Sequence, residues 1–409
     1  MSAGRTLFIV LLAIAAGWPG FHAATPQRPQ SPAFRASTTL IEIDTIVTDK
    51  RGKFVADLKP ADFQLTVDGR PAPIEALYLV VGNRVQQAQG TAVGSGPAVE
   101  PPTLETHRLF ILFFDGHMKL AALGRAKDAA TEFLQSDFRD GDTAGIVAGG
   151  ALLNSRLSHD RRELIAAVRR IRPDADYLSG AAEEVTALPD VSDENGRASE
   201  GAREVADNLA RAGAQLSAAG AGWEKQNSLV YLLATVQGLD RLPGRKNVLF
   251  LSDGFRLGGM MPGDRAGTGY ITMRTIVETA ARASVRIYSL DTRGLNHGFA
   301  SSDVISAGAP RPLGSSVTPD ETPNKTSRNP VVSAADVLSS LALDTGGLWI
   351  HNENNFGKAF AEIAADAGSY YVLGYRSTAA AGDSEFHEFK VHVTRRGLTV
   401  RARKGYVPR

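Results

Sequence analysis

Continuous apolar runs alternate with helix-spaced segments through the middle of this chain, and shorter alternating runs stand at both ends. His107–Phe114 and Val248–Leu251 lack polar alternation, which is how parallel strands buried on both faces of an α/β sheet read, and Val285–Leu290 reads as a further strand. Helical spacing marks Leu120–Phe138, where Leu120, Leu123, Ala126, Ala130 and Phe133 recur on one side. It also marks Asp160–Ile171, with Ser158 as the expected cap, and then Leu229–Leu242, Ile271–Ala283, Ala334–Leu343 and Phe356–Ala365. Ala144–Ala148 and Ala151–Leu157 read as antiparallel neighbours parted by Gly149-Gly150, and Leu348–His351 as a short strand. About six strands and six helices in this order predict a doubly wound, Rossmann-like α/β domain over residues 105–368.

Two segments break that rhythm. Ala175–Lys225 is rich in Ala and Glu, and within it Glu200–Ala218 has the spacing of an added helix. That helix reads either as a partner-binding element or as a surface helix packed on Val205, Leu209 and Leu216. Gly294–Val331 is a long Pro/Gly/Ser loop, a length that in a compact domain points to function or disorder.

At the ends the pattern is β-like. Thr38–Val81 holds the run Leu40, Ile41, Ile43, Ile46, Val47, then Phe63, Leu65 and Val67 alternating up to Asp68-Gly69, a short-hairpin signal, and the return Ile74–Val81. Gly82–Thr106 reads as linker. Tyr370–Tyr375, Phe386–Val393 and Leu398–Lys404 are strands joined by turns at Gly382-Asp383 and Arg396-Gly397. Neither end makes a unit large enough to be stable alone. The segments 36–82 and 369–409 are therefore expected to form one accessory β-sandwich, each covering the other's apolar face.

Composition adds mainly exclusions. The chain has 43% hydrophobic and 22% charged residues, ordinary globular values. Its 45 basic and 44 acidic side chains leave no field to attract nucleic acid or an anionic membrane surface. Residues 1–24 read as an export signal, with Arg5, the apolar stretch Leu7–Ala16 and small residues at Ala23 and Ala24; an uncleaved anchor is the alternative. No later stretch reaches the ~20 apolar residues a membrane span needs, so no membrane insertion of the mature chain is expected. The protein is thus expected in a periplasm or outside the cell. Cysteine is absent, which excludes disulfides, a lipoprotein anchor and thiolate metal sites.

The candidate chemistry sits where two apolar runs stop at an aspartate followed by glycine: Asp115 after Leu109–Phe114, and Asp253 in Leu251-Ser252-Asp253-Gly254. A carboxylate at the C-terminal end of such a strand projects into the crevice where open α/β sheets bind ligands. Two of them on neighbouring strands would make a negative pocket suited to a divalent cation.

The order of these pieces resembles a von Willebrand factor type A domain. Asp115 closes the first strand, Asp140-Gly141-Asp142 precedes the second, and Leu251–Gly254 closes the fourth. Leu341-Ala342-x-x-Thr345-Gly346-Gly347 precedes the sixth. The flanks Asp62-Phe63-x-Leu65-x-Val67-Asp68-Gly69 and Arg401-Ala402-Arg403-Lys404-Gly405-Tyr406 are similar to exported proteins related to that family and known mainly from acidobacteria. The resemblance implies binding of another protein or a surface polymer, not catalysis. The binding site it implies is a metal-ion-dependent adhesion site, in which Mg²⁺ or another divalent cation is held by oxygen ligands. Asp115 and Asp253 match that pattern. His117 and Lys119 stand where its two serines belong, and its threonine loop falls in the Ala175–Lys225 insertion, where no equivalent is apparent. The site is therefore degenerate: a cation held by Asp115, Asp253 and waters, a Lys119 ammonium in its place, and an ion geometry that includes His117 all remain open.

The same carboxylates offer a competing reading as the acid/base pair of a secreted hydrolase. Only 7% of residues are aromatic, and no sugar-binding cluster accompanies the pair. A phosphoryl-transferring aspartate lacks its usual acid/base partner two residues on. Ser252 lacks a nucleophile elbow, and the glycines of Leu257–Gly263 do not promptly open a helix. His387 and His392 lie five apart in a strand and face opposite sides. Asn324-Lys325-Thr326 fits a glycosylation acceptor, meaningful in a eukaryotic secretory route.

Overall fold

The computed structural model describes residues 40–82, 84–87, 107–116, 118–154, 156–173, 196–219, 227–254, 268–294, 334–377, 383 and 385–407. The expected export signal, the loop 294–331 beyond Gly294, and the acceptor Asn324 lie outside the described residues. The first part of the chain gives β1 (Leu40–Thr48), β2 (Phe63–Val67), β3 (Arg70–Ala72), β4 (Ala76–Val81) and β5 (Arg84–Gln87). The middle gives β6 (Leu109–Phe114), α1 (Leu120–Ser136), β7 (Thr143–Ala148), β8 (Ala151–Leu152), α2 (Arg161–Arg170), α3 (Gly196–Ala219) and α4 (Asn227–Gly238). It continues with β9 (Lys246–Ser252), α5 (Thr268–Ala283), β10 (Val285–Asp291), α6 (Ala334–Asp344), β11 (Trp349–Ile350) and α7 (Phe356–Asp366). The end gives β12 (Ser369–Arg376), β13 (His387–Val393), β14 (Thr399–Ala402) and β15 (Gly405–Tyr406). The fold is mixed α/β.

The middle strands form one sheet in the order β11-β10-β9-β6-β7-β8, parallel except for β8. Alternation along each strand sends side chains to two separate cores. Phe110, Leu112, Phe114, Leu249, Leu251, Tyr288 and Leu290 pack under α1, α2 and α7. Ile111, Phe113, Val248, Phe250, Val285 and Ile287 pack under α3, α4, α5 and α6. A strand that must be apolar on both faces reads as an unbroken run, which is why these strands stood out in the sequence. Each fully buried Leu or Phe contributes roughly 1.5–3 kcal/mol.

The helix in the insertion is part of this core. Ala202, Val205 and Leu209 of α3 are buried against α4, and a Cβ on Gly238 would lie 2.5 Å from the Val205 Cα. Leu216 lies outside the residues whose side chains are described.

Two local expectations need correction. The strand after Gly149-Gly150 ends at Leu152, because the Asn154 side chain takes over the edge of β7, accepting from Ile146 N at 2.8 Å and donating to Ala144 O at 3.3 Å. The cap of α2 is Asp160, which accepts from Arg162 N at 2.8 Å. Ser158 instead donates to Glu163 at 2.6 Å and accepts from Asp160 N at 3.1 Å.

The terminal segments come together, but not as two separate halves covering each other: their strands interleave. One sheet runs β14-β1-β12-β4-β5 and the other β15-β13-β2-β3, so both contain strands from both ends of the chain. β12 pairs antiparallel with β1 on one side and β4 on the other, which satisfies both of its edges. β5 falls in the segment read as linker; it pairs with β4 after a turn at Gly82, where φ is +60°. The two sheets share a core of Ile43, Val47, Phe63, Leu65, Val67, Leu77, Tyr371, Leu373, Phe389 and Tyr406.

The opposite face of β1 carries Glu42, Asp44 and Ile46, and it docks on the α/β layer through charge. Asp44 pairs with Arg245, and Arg286 Nη2 lies 4.0 Å away. Arg245 also sits over the Tyr370 ring at 3.8 Å. Arg286 reaches Asp366 of α7 at 4.0 Å, Arg401 pairs with the same carboxylate, and Tyr288 donates to it at 2.9 Å. Burial pushes the Asp44 carboxyl up, but Arg245, Arg286 and Arg403 outweigh it and hold it below the usual carboxylate range.

Removing one partner from a buried pair leaves the other charge uncompensated. Asp44→Ala is expected to destabilise the protein by about 3–5 kcal/mol in urea denaturation, more than Asp140→Ala at the exposed pair with Arg161. Thr345-Gly346-Gly347 forms the tight joint between α6 and β10: Thr345 accepts from Ile287 N at 3.0 Å, and a Cβ on Gly347 would fall 1.9 Å from Ile287 O. Gly347→Ala is therefore expected to cost at least about 3 kcal/mol in the same assay, the upper end of overpacking penalties.

Candidate functional site

Parity along the strands decides where each carboxylate goes. Asp115 follows β6 in step with Ile111 and Phe113, so it turns toward the face covered by α4. Its backbone continues the ladder, donating to Leu251 O at 2.9 Å. There Ser228, in the first turn of α4, donates to Asp115 Oδ1 at 2.6 Å. Ser252, in step with Val248 and Phe250, donates to Asp115 Oδ2 at 2.5 Å. Asp115 is 5% exposed and Ser252 is fully buried.

Asp253 has the opposite parity and faces α1. Lys119 N, at the start of that helix, donates to Asp253 Oδ2 at 3.1 Å. Lys119 has no side-chain cap bond of its own, so the carboxylate of Asp253 supplies the acceptor that the helix end needs. Thr292, just past β10, donates through its hydroxyl to Asp253 Oδ1 and through its backbone to Ser252 O at 3.0 Å. Arg125 of α1 donates to Thr292 O at 3.3 Å.

Asp115 and Asp253 thus stand at neighbouring strand tips, as the sequence suggested, but they turn toward the two opposite faces of the sheet. Ser252 lies between them. Its hydroxyl donates to Asp115 and accepts from Gly254 N at 2.9 Å. The Lys119 side chain is exposed and forms no ion pair with either carboxylate among the described residues. His117 lies outside the described residues.

Ser228, Thr292 and Asp291 were not singled out by the sequence reading. Asp291 ends a third strand of the same sheet with a carboxylate, and it pairs with Arg293 at 2.5 Å. Thr292 follows it directly. Ser228 carried no sequence signal, because only the placement of α4 over the sheet tip brings it to Asp115.

The donor set is all oxygen: carboxylates of Asp115 and Asp253, hydroxyls of Ser228, Ser252 and Thr292. A hydroxyl that donates one hydrogen bond keeps lone pairs for a hard cation, so these residues fit Mg²⁺ or Ca²⁺ chemically. No group of three or more His, Asp or Glu side chains placed to hold a metal occurs among the described residues. Any cation here would rely on the hydroxyls and on waters.

No family model matches the chain, and no curated protein matches it. The chain is similar to the crystal structure of an aerotolerance-related membrane protein from Bacteroides fragilis carrying multiple mutations to serines, at 11% identity and a TM-score of 0.30. That match covers 64% of this chain and 98% of the other. A likeness at that score carries no argument about fold or function. Among the described residues, no helix is long and apolar enough to cross a membrane.

Asp115 is buried, so its donors matter for stability as well as for any ligand. Ser228→Ala is expected to cost about 1–3 kcal/mol, because a buried carboxylate loses a partner. Lys119→Ala is expected to stay within about 0.5 kcal/mol, since only its backbone is used. Chemical denaturation of both variants checks the contrast.

Proposed function

We propose that this chain is an exported binding protein, not an enzyme. In this reading its α/β layer is a von Willebrand factor type A-type domain, and its interleaved terminal strands form an accessory β-sandwich. The partner is another protein or a surface polymer, taken at the C-terminal ends of β6, β9 and β10. The reading rests on one observation above the others: Asp115 and Asp253 stand at adjacent strand tips, and each accepts from hydroxyls supplied by other elements.

In this reading a divalent cation such as Mg²⁺ would be held by Asp115 and Asp253, whose side chains would have to converge from the two faces, with the Ser228 hydroxyl beside Asp115 as a further oxygen donor. When bound, it would supply an open coordination position for a partner's oxygen. The protein's own part is to hold the carboxylates in place. Ser252 ties Asp115 to β9, and Asp253 fixes the start of α1 while Thr292 fixes Asp253.

Calorimetric titration of the full chain with Mg²⁺, Mn²⁺ and Ca²⁺ tests the reading. Wild type is expected to bind one of them, and Asp253→Ala, checked for its fold by circular dichroism, is expected to weaken binding by about 10–100-fold or more. No ion binding by wild type removes the cation from the proposal. Turnover of a phosphate or glycoside ester, lost in Asp115→Asn, would overturn the binding function in favour of a secreted hydrolase.

A further inference from the structure

His387 opens β13 at the junction of three elements, and both of its ring nitrogens face carboxylates. Nδ1 lies 2.8 Å from Asp68 Oδ2, in the turn between β2 and β3. Nε2 lies 3.1 Å from Asp383 Oδ2, in the segment leading into β13. The ring stacks on Tyr406 of β15 at 5.3 Å, and Tyr406 in turn meets Tyr375 and shares a 2.8 Å hydrogen bond with Ser377. A neutral imidazole has one N–H and can donate to only one carboxylate. Both contacts can be hydrogen bonds only when the ring carries two protons.

The surroundings favour that state. Asp68 is fixed by the turn itself, at φ +49°, and its other oxygen accepts from Glu388 N at 2.9 Å. Asp383 accepts from Glu385 N at 2.8 Å. The charged groups facing the ring are the two carboxylates, and the phenols of Tyr406 and Tyr375 are the other titratable groups packed there. Asp68 chiefly, with Asp383 adding and partial burial opposing, holds the imidazole above its ordinary range.

We propose that His387 is a pH-dependent latch: as an imidazolium it ties the β2–β3 turn and the segment at Asp383 to β13, and loss of one proton frees one carboxylate and loosens the sheet edge. β15 would feel this first, because among the described residues its ladder to β13 is short, with the pairs His387–Tyr406 and Glu388–Gly405. With the folded-state value raised, the latch contributes fully below about pH 6.5 and is lost as pH rises through the folded-state value.

The test uses the full chain labelled with ¹⁵N-histidine, with His387→Gln to assign the resonance. Both His387 nitrogens are expected to stay protonated to above about pH 6.5, and Asp68→Asn and Asp383→Asn are each expected to lower the midpoint. Thermal melts between pH 6 and 9 are expected to lose more stability in wild type than in His387→Gln, where one amide donates at every pH. A wild-type midpoint at or below about 6.5, or one unmoved by both asparagine variants, would overturn the latch. So would identical melting curves for wild type and His387→Gln.

Discussion

The arrangement depends on a set of charges buried where the terminal strands meet the α/β layer. Arg286, at the start of β10, lies between Asp44 of β1 and Asp366 of α7, while Arg245 and Arg401 complete the pairs. Arg403 donates to Ala281 O at 2.5 Å and to Glu42 O at 3.0 Å. Such pairs add little net stability over a well-packed apolar contact, since both charges lose their hydration. What they supply is geometry. Each guanidinium meets a carboxylate or a backbone carbonyl across the junction between the terminal sheets and the parallel sheet.

This explains the two flanking motifs that no chemistry had claimed. Arg401, Arg403 and Lys404 are docking residues: Arg401 meets Asp366 and the Gly347 carbonyl, and Lys404 pairs with Asp344 at 2.9 Å. Phe63, Leu65 and Val67 fill the core between the terminal sheets, and Asp68-Gly69 makes the turn that His387 grips. The need for glycine in Thr345-Gly346-Gly347 is likewise steric, because a side chain at Gly347 would strike the backbone of β10.

Much of this was legible in the chain. Strands buried on both faces announce themselves as unbroken runs, and β6 and β9 are legible to within two residues at each end for that reason. The two site aspartates followed from where those runs stop. The interleaving of the terminal strands was not legible, since alternation gives a strand its faces but not its neighbours. Ser228 was hidden for a related reason: it meets Asp115 across 113 residues, through a helix whose placement only the packing of α3 and α4 decides. Asp291 could have been found, as a third strand ending in a carboxylate.

The two ends of the parallel sheet therefore do different work. At the start of β9 and β10, Arg245 and Arg286 are committed to the terminal sheets and covered by them. At the opposite end, the strands finish in carboxylates and hydroxyls that bind one another without help from those sheets. Parity then splits that end again: Asp115 answers to α4, and Asp253 to α1 and β10. A ligand that drew the two carboxylates together would pull on helices from both faces of the sheet at once. Ser252 is buried between them, its hydroxyl bonded to Asp115 and to Gly254 N.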